Sequence, residues 1–340
     1  MTVAPSLAVN DIDLRLKEVR SVLDDIPIPG CQLSLVGSAL VRNIRVIDDD
    51  VYVRLFHGSD QNHLIDATRT ALSTLAWTKR VVVDTRTIPG VKRTIAVGSG
   101  KGGVGKTSVT AGLASKLRDQ GFRVGILDAD VYGPNISTVF GADSLAIETQ
   151  DIDGVTKFIP PVLDGIRVMS VGMLAEDGQS LAWRGPILTR LLKQFLFDVA
   201  WGDLDFLLID LPPGTGDAQI TLLQECPLAG VLLVGVPGLS SCADLRRTIA
   251  MYGQFDLPIL GYVENFSSVH CPNCGHSFDF LLDQVPVGCD HHDDIQPTAR
   301  LSIEPNLLTQ RGSQAKIITL DRIHPESFDA LFMRCFSLLS

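Results

Sequence analysis

A run of eight residues early in the chain has the composition and order of a loop that holds phosphate. It reads Gly100-Lys101-Gly102-Gly103-Val104-Gly105-Lys106-Thr107, after an apolar segment and before a helical pattern. The glycines let successive backbone N–H groups point at one anion, and the following helix adds its positive N-terminal end. Lys106 is expected to reach the β- and γ-phosphates, and the Thr107 hydroxyl to bind Mg²⁺. The pattern predicts a nucleotide site.

Acidic residues stand where two predicted strands end. Asp128 and Asp130 follow the run 124–127, and Asp210 follows the run 206–209. Open parallel sheets bind ligands at the carboxyl ends of their strands, so these carboxylates are expected beside the phosphate loop. A buried strand that ends in aspartate commonly holds Mg²⁺ through a water, which assigns Asp210 to the metal. Either Asp128 or Asp130 is suited to orient water or to hold magnesium.

A second group of chemically active residues is the pair Cys271 and Cys274. A Cys-x-x-Cys brings two thiolates to one metal, but two thiolates do not complete a tetrahedral ion or a cluster. One solution is symmetry, in which two copies of the pair supply four thiolates to one [4Fe–4S] cluster across a dimer axis. The other solution lies within the chain, because Cys289, His291 and His292 follow at a spacing close to that of a structural zinc site. A redox or purely structural pair is the third alternative.

The elements that must position these residues change character along the chain. From Thr94 onward, apolar strands alternate with helical stretches, which predicts an α/β fold: a P-loop NTPase with a mostly parallel sheet covered by helices on both faces. The strand candidates of this part are 94–98, 124–127, 206–209, 230–236 and 259–263. The last stretch, from Phe328 to Leu339, places its apolar residues on one helical face and predicts a closing helix packed on the sheet.

The residues before this sheet predict a separate, smaller unit. Residues 1–86 have the pattern of a small α+β domain, residues 87–93 form a linker with Pro89 and Gly90, and residues 94–340 form the nucleotide-binding domain. In the small domain, the strand candidates are 32–35, 41–46, 51–56 and 80–84, and a helix is expected over 61–76.

Composition excludes several classes of function. The chain has 340 residues, 45% of them apolar, and a formal net charge of −10, which argues against nucleic acid or an anionic membrane as the main partner. No apolar run approaches the roughly 18 residues that cross a bilayer, and no secretion leader is evident, so a cytoplasmic location is expected. Seven cysteines in a chain of this length do not make a disulfide framework.

Five segments in order resemble the Mrp-type iron–sulfur cluster carrier ATPases, relatives of nitrogenase iron protein and the Min and ParA ATPases. These segments are GSGKGGVGKT (98–107), ILDADVYGPNI (126–136), WRGPI (183–187), WGDLDFLLIDLPPGTGDAQITL (201–222) and ILGYVENFSSVHCPNCGH (259–276). Together they span about 180 residues, and YGP and LPPGTGD separate the chain from the Min and ParA branches. The N-terminal unit looks like the small domain that precedes the ATPase in many Mrp proteins and occurs alone in iron–sulfur assembly factors.

The resemblance implies roles for individual residues. Lys101 is expected to reach across a sandwich dimer to the partner's nucleotide, and Asp130 to activate or place the attacking water. Asp128 is assigned to the outer shell of Mg²⁺, and Asn265 to a hydrogen bond with the adenine ring. Cys271 and Cys274 are the implied cluster ligands. The residues expected to contact the nucleotide are Gly100, Lys101, Gly102, Gly103, Val104, Gly105, Lys106, Thr107, Ser108 and Asn265.

The implied activity is slow ATP hydrolysis by a homodimer that binds a [4Fe–4S] cluster between its subunits and transfers it from an unidentified donor to apoproteins. Two segments depart from the family pattern. The segment 236–241 stands where the family has a threonine-rich PQ segment, and the segment 277–282 stands where it has a glycine-rich stretch. The rival functions are a partitioning or positioning ATPase of the Min or ParA type, and a nucleotide switch with a structural zinc site.

Overall fold

The structure is a computed structural model that describes residues 9–29, 31–131, 133–141, 145, 147–174, 185–271, 273–279, 296–303 and 319–339. Within these ranges, no helix combines the length and the apolar character that a membrane span requires.

Helices and strands alternate along most of the described chain. The elements are α1 (Val9–Asp24), β1 (Val41–Ile47), β2 (Asp50–Phe56), α2 (His63–Leu72), β3 (Arg80–Arg86), β4 (Val91–Ser99), α3 (Lys106–Asp119), β5 (Val124–Asp128), α4 (Ile136–Val139), β6 (Glu148–Ile152), β7 (Val155–Ile159), β8 (Val162–Leu163), β9 (Ile166–Ser170), α5 (Gly185–Phe197), β10 (Leu204–Asp210), α6 (Asp217–Glu225), β11 (Gly230–Gly235), α7 (Leu239–Gly253), β12 (Ile259–Glu264), β13 (Ser268–His270), β14 (Ser277–Asp279), β15 (Ala299–Arg300), α8 (Leu320–Ile323) and α9 (Pro325–Leu339).

The nucleotide-binding part is built on an eight-stranded sheet with the order β15-β12-β11-β4-β10-β5-β9-β8. Every neighbouring pair is parallel except β8 with β9 at one edge. The carboxyl ends of the two central strands, β4 and β10, therefore lie side by side at the same end of the sheet. Motifs that are far apart in sequence meet there because each follows a parallel strand.

Helices cover both faces of this sheet, as the absence of alternation in the strands predicts. Ala96 and Leu207 face a core that includes the buried residues of α5, α6 and α7. Ile95 and Leu208, one position away on the same strands, face a second core formed with α3 and α9. The closing helix is confirmed: Phe328, Leu331, Cys335 and Leu339 of α9 are buried.

The five expected strands of this sheet are all present, and two of them, β10 at Leu204 and β4, begin earlier than predicted. β4 starts at Val91 rather than Thr94, inside the expected linker 87–93. The charged pair Lys92 and Arg93 conceals this start, because a strand is easiest to recognise from apolar residues. In the fold, Lys92 Nζ lies 2.9 Å from a carboxylate oxygen of Asp205, and Arg93 Nη1 lies 3.0 Å from one of Asp60.

The N-terminal unit has its own sheet, β1-β2-β3, and its own core. β1 and β2 form an antiparallel hairpin, whereas β3 returns parallel to β2 after α2. The expected strand 32–35 is wrong: this segment is a turn with a single bridge between Ser34 and Pro27. Prolines at 27 and 29 remove two backbone donors there, so a paired strand cannot continue.

A cluster of charged residues joins three strands of the large sheet at their amino-terminal ends, which lie opposite the phosphate loop. Asp205 of β10 accepts hydrogen bonds from Arg123 N at 2.9 Å, Arg123 Nε at 3.2 Å and Lys92 Nζ at 2.9 Å. The hydrogen bonds from the Arg123 side chain, more than any other interaction, hold the pKa of Asp205 well below its usual range. The carboxylate ties the beginning of β10 to β4 and β5.

Replacing this carboxylate is expected to destabilise the fold in a pH-dependent way. The folded pKa of Asp205 lies below the unfolded value, about 3.9, so its stabilisation is present above that value and is lost as pH falls through the folded pKa. We expect Asp205→Asn to lower the free energy of unfolding by about 1 kcal/mol near neutral pH, after allowance for solvent screening. Urea unfolding at a series of pH values measures this difference, which should shrink below about pH 4.

The neighbouring Asp203 provides the control. Its side chain is 82% exposed and lies 3.6 Å from Arg123 Nη1. Asp203→Asn should leave the unfolding midpoint unchanged at every pH. An equal effect of both substitutions would assign the stabilisation to net charge rather than to the Asp205 cluster.

Candidate functional site

The phosphate loop lies between β4 and α3, as its sequence predicts. Gly103 and Gly105 adopt φ values of +77° and +83°, a region that costs little only for glycine. Gly105 is the residue immediately before α3, so the loop turns directly into the helix N-terminus. Val104 is buried, while Lys101, Gly102 and Gly103 are exposed. The loop therefore presents its backbone N–H groups beside a positive helix end.

Lys106 forms a buried ion pair with Asp210. Its Nζ lies 2.7 Å from Asp210 Oδ1, and the two side chains are 6% and 0% exposed. The other carboxylate oxygen, Oδ2, accepts a hydrogen bond from Thr107 Oγ1 at 2.7 Å, and Thr110 Oγ1 donates to Oδ1 at 3.1 Å. The carboxylate of Asp210 thus finds its charge and hydrogen-bond partners among the residues that are predicted to bind phosphate and metal.

Asp128 sits on the neighbouring strand, in register with Asp210. Its Oδ1 accepts the backbone N–H of Asp130 at 3.1 Å, and its Oδ2 accepts Ile136 N at 3.1 Å and Ser170 Oγ at 3.0 Å. Burial, followed by the charge of Asp210, raises the pKa of Asp128 to about 7. These contacts give Asp128 a positioning role for the loop that carries Asp130. Its expected place in the outer shell of Mg²⁺ stays a prediction.

Asp130 and Lys101 both line the space above the loop. Asp130 Oδ2 lies 3.6 Å from Lys106 Nζ, and the side chain is 13% exposed. Lys101 is an exposed residue whose backbone oxygen accepts a hydrogen bond from Ser99 Oγ at 3.0 Å. Their assigned catalytic roles stay predictions, since both depend on a bound nucleotide.

These residues surround a cavity of about 380 Å³. Its lining includes residues of the predicted set: Lys101, Gly102, Gly103, Gly105, Lys106, Thr107, Ser108 and Asp130. It also includes Asn135, Pro213 and Phe266, to which the sequence analysis gave no role. Asn135 and Pro213 belong to the family segments 126–136 and 201–222, and Phe266 follows the asparagine assigned to adenine. Their positions next to predicted site residues are the sequence feature that could have identified them.

Asn265 is brought to the phosphate loop rather than to the open cavity. It is 2% exposed, and its Nδ2 donates to Val104 O at 2.9 Å. A Cβ atom at Gly105 would lie 2.2 Å from the same Nδ2, so the close approach requires glycine. The amide is therefore engaged with the loop, and its hydrogen bond to adenine stays a prediction.

The donors and acceptors of the site fit a nucleotide with Mg²⁺. A carboxylate and a hydroxyl, Asp210 and Thr107, lie 2.7 Å apart at the end of the loop, and hard oxygen ligands of this kind suit Mg²⁺. Lys106 supplies the positive charge that phosphate requires. The same ammonium group that pairs with Asp210 is thus available to an incoming phosphate.

The Cys-x-x-Cys pair forms the turn of a small hairpin. β13 pairs antiparallel with β14, and the turn is closed by Cys271 N to His276 O at 2.9 Å and Gly275 N to Cys271 O at 2.9 Å. Gly275 has a φ of +72°. Cys271 is half-buried and Cys274 is exposed, so the hairpin presents one thiol fully to solvent.

The turn favours a thiolate at Cys271. Backbone N–H groups of Cys274 and then Asn273, together with the Cys274 side chain, lower the pKa of the Cys271 thiol. Thiolate is the form that binds metal. Among the described residues, no group of three or more His, Cys, Asp or Glu side chains has the arrangement of a metal site. Cys289, His291 and His292, the candidates for a zinc site within the chain, lie outside the described residues.

Removing the Asp210 carboxylate should have two separable effects. Breaking a buried ion pair leaves Lys106 with the longer, 3.6 Å pair to Asp130, so we expect Asp210→Asn to lower the free energy of unfolding of the nucleotide-free chain by about 3 kcal/mol. It should also abolish the part of ADP affinity that depends on Mg²⁺, because the metal loses a carboxylate. Denaturant unfolding and calorimetric titration with ADP, with and without Mg²⁺, measure the two effects.

Asp217 is the matched control for this substitution. It is an exposed carboxylate in the first turn of α6, a few residues after Asp210. Asp217→Asn should leave the Mg²⁺ dependence of ADP affinity intact. A retained Mg²⁺ dependence in Asp210→Asn would contradict the assignment of Asp210.

Comparison with known proteins agrees with this geometry. The ParA family model described as NUBPL iron-transfer P-loop NTPase matches residues 90–333. The iron–sulfur cluster carrier protein of Helicobacter pylori is 34% identical over 334 residues, which cover 93% of this chain and 89% of that protein. The protein of that name from Aquifex aeolicus is 45% identical over 197 residues, 58% of this chain, and the match spans only about half of the relative, 53%.

A solved structure supports the fold. The nucleotide-binding protein of Archaeoglobus fulgidus, in complex with ADP, is 36% identical, and the match covers 65% of this chain and 86% of that chain with a TM-score of 0.55. The family model covers well over half of the chain, and the Helicobacter pylori relative aligns along nearly all of it. The chain therefore belongs to the ParA family of NUBPL-type iron-transfer P-loop NTPases.

Proposed function

We propose that the chain is an ATP-hydrolysing iron–sulfur cluster carrier. Two copies bind one [4Fe–4S] cluster as cargo between their Cys271–Cys274 turns and pass it to apoproteins. The observation that carries this proposal is the half-complete ligand set. Two thiols lie in the turn of a hairpin, one of them with a lowered pKa, and no third candidate ligand joins them among the described residues.

The exposure of the thiol pair supports transfer as well as binding. A buried structural cluster would be shielded by surrounding chain, whereas Cys274 and His276 are both exposed. A cluster held by two such turns remains within reach of thiols on a client protein. Thiol exchange at an accessible cluster is the chemistry that handing over a cluster requires.

The nucleotide site supports hydrolysis by residues of both copies. Lys106 and the loop N–H groups hold the phosphates, Thr107 and Asp210 hold Mg²⁺, and Asp130 is close enough to orient a water. Lys101 is exposed and lines the cavity, and we propose that its ammonium group reaches a nucleotide held by a second copy. Hydrolysis would then depend on the dimer, as expected for a switch.

Anaerobic reconstitution with iron and sulfide tests the cargo. The wild-type chain should take up one [4Fe–4S] cluster per dimer, with its visible absorbance band, and Cys271→Ala/Cys274→Ala should take up none because both thiolates are removed. Iron and sulfide analysis with elemental analysis for zinc gives the readout. Equal iron in both proteins, or zinc alone in the wild type, would defeat the carrier proposal, and zinc alone would favour the nucleotide switch.

Cys31 offers a matched control for lost thiols. It is a half-buried, free cysteine of the N-terminal unit, well separated in sequence from the pair. Cys31→Ala should bind a full cluster. A loss of cluster in this variant would show that cysteine content rather than the hairpin governs uptake.

A mixing experiment tests the role of Lys101. Lys101→Ala and Lys106→Ala should each be inactive in ATP hydrolysis, the first for lack of the partner's lysine and the second for lack of a phosphate ligand. When mixed, heterodimers unite an intact loop with an intact Lys101 from the other copy, so about a quarter of the wild-type rate should return by random pairing. Phosphate release measures the rate.

The same experiment separates action within one chain from action between chains. If Lys101 serves the nucleotide of its own chain, no mixture recovers activity. Lys193→Ala, which removes a lysine that pairs with Glu225 on the helical layer, is the control and should hydrolyse ATP at the wild-type rate.

A further inference from the structure

Phe266 holds a backbone conformation that bulky residues rarely adopt. Its φ is +55°, in the left-handed region where a Cβ atom is crowded. It follows β12 directly after Asn265, and its side chain lines the nucleotide cavity. Strain of this kind persists only where surrounding contacts hold it, and it concentrates at ligand sites and switch regions.

Those contacts come from the phosphate loop itself. Phe266 Cζ would lie 3.6 Å from a Cβ atom at Gly105, and Asn265 Nδ2 donates to Val104 O at 2.9 Å. Both residues therefore rest against the segment that leads into Lys106. Phosphate must take Lys106 from Asp210, so this segment is where the arrival of a nucleotide changes the local contacts.

A short, hydrogen-bonded strap connects Phe266 to the cysteine hairpin. The strap comprises residues 267–270. Ser267 donates to Leu301 O through N at 2.9 Å and through Oγ at 3.0 Å, and Ile303 N donates to Ser268 O at 2.7 Å. The last three residues of the strap form β13, and Cys271 follows at once. Only four residues lie between Phe266 and Cys271, so the five steps from one to the other span about 17 Å of extended chain at most.

We propose that Asn265 and Phe266 are positioning residues that couple the nucleotide site to the Cys271–Cys274 turn. A nucleotide that packs on the Phe266 ring restrains the strap, and the restrained strap stabilises the turn hydrogen bonds around Cys271. Nucleotide occupancy thereby lowers the accessibility of the two thiols. That this coupling controls the release of a cluster rests on the proposed carrier function. The change in thiol accessibility itself does not require a cluster.

Alkylation of the metal-free chain measures this coupling directly. Iodoacetamide is applied under anaerobic conditions, with and without saturating Mg²⁺ and a non-hydrolysable ATP analogue. Peptide mass spectrometry separates Cys271 and Cys274 from the half-buried Cys31 and Cys242 and from Cys289, which lies outside the described residues. In the wild type, the nucleotide should slow the reaction of the pair by about fivefold or more, the lower end of typical coupling between sites.

Variants of Phe266 assign the effect to its ring. Phe266→Ala should weaken nucleotide binding and, at saturating nucleotide, bring the ratio of alkylation rates close to one. Phe266→Leu keeps apolar bulk in the cavity wall and should restore most of the ratio. Rescue by leucine is a result that general loosening of the chain would not give.

Phe278 is the control on the hairpin itself. It lies in β14 with 44% of its surface exposed, and it does not line the nucleotide cavity. Phe278→Ala loosens the hairpin locally, so it should raise both alkylation rates and leave their ratio at the wild-type value.

Three results would overturn the coupling: no effect of nucleotide in the wild type, a wild-type ratio in Phe266→Ala, or complete loss of nucleotide binding in Phe266→Ala, which would make the ring a binding residue only. These outcomes are distinguishable from failure of the carrier function. A chain that takes up no cluster can still show coupled thiols, and a chain that binds a cluster can lack the coupling.

Discussion

The buried pair of Lys106 and Asp210 is the constraint around which the sheet and the loop are arranged. Two charges that are almost fully removed from water must be matched to each other and to further hydrogen bonds, or the cost of burying them is several kcal/mol. Lys106 arrives from the loop after β4, and Asp210 ends β10, which lies beside β4 in the sheet, with Asp210 in register with Val97. Parallel pairing at the centre of the sheet therefore brings together two motifs that are about 100 residues apart in sequence.

This pairing also makes the site responsive. In the absence of phosphate, Lys106 and Thr107 satisfy Asp210, so the nucleotide-free arrangement is itself stable. A nucleotide with Mg²⁺ would offer each group a new partner: phosphate for the ammonium, and metal for the carboxylate and hydroxyl. Because each state would satisfy the same buried groups, we expect the difference in free energy between the two states to be small compared with the individual interactions, as a switch requires. Asp128, fixed by three donors, holds the loop that carries Asp130 in the nucleotide-free arrangement.

Local patterns predicted the phosphate loop, the two aspartate-bearing strand ends and the cysteine pair, because in each case the chemistry lies in adjacent residues. Contacts between residues that are distant in sequence could not be predicted from local patterns. The start of β4 was hidden by Lys92 and Arg93, whose charges are neutralised by Asp205 and Asp60 from other elements. β9 was not anticipated, since Arg167 interrupts its short apolar run. Phe266 carries no sequence signal for a positive φ, which only its packing against the loop explains.

The two features that the proposed dimer would complete lie at the same edge of the sheet. Lys101 follows the carboxyl end of β4, and the cysteine turn follows that of β12, with only β11 between these strands. Lys106 is expected to reach the phosphates of its own chain, which leaves Lys101 free for a partner's nucleotide, and the cysteine turn would supply two of the four ligands that a [4Fe–4S] cluster needs. A second copy docked at this edge would complete both features at once. A single surface would therefore serve both features of the proposed dimer. The strap from Phe266 to Cys271 connects the nucleotide site with the cysteine turn on this surface.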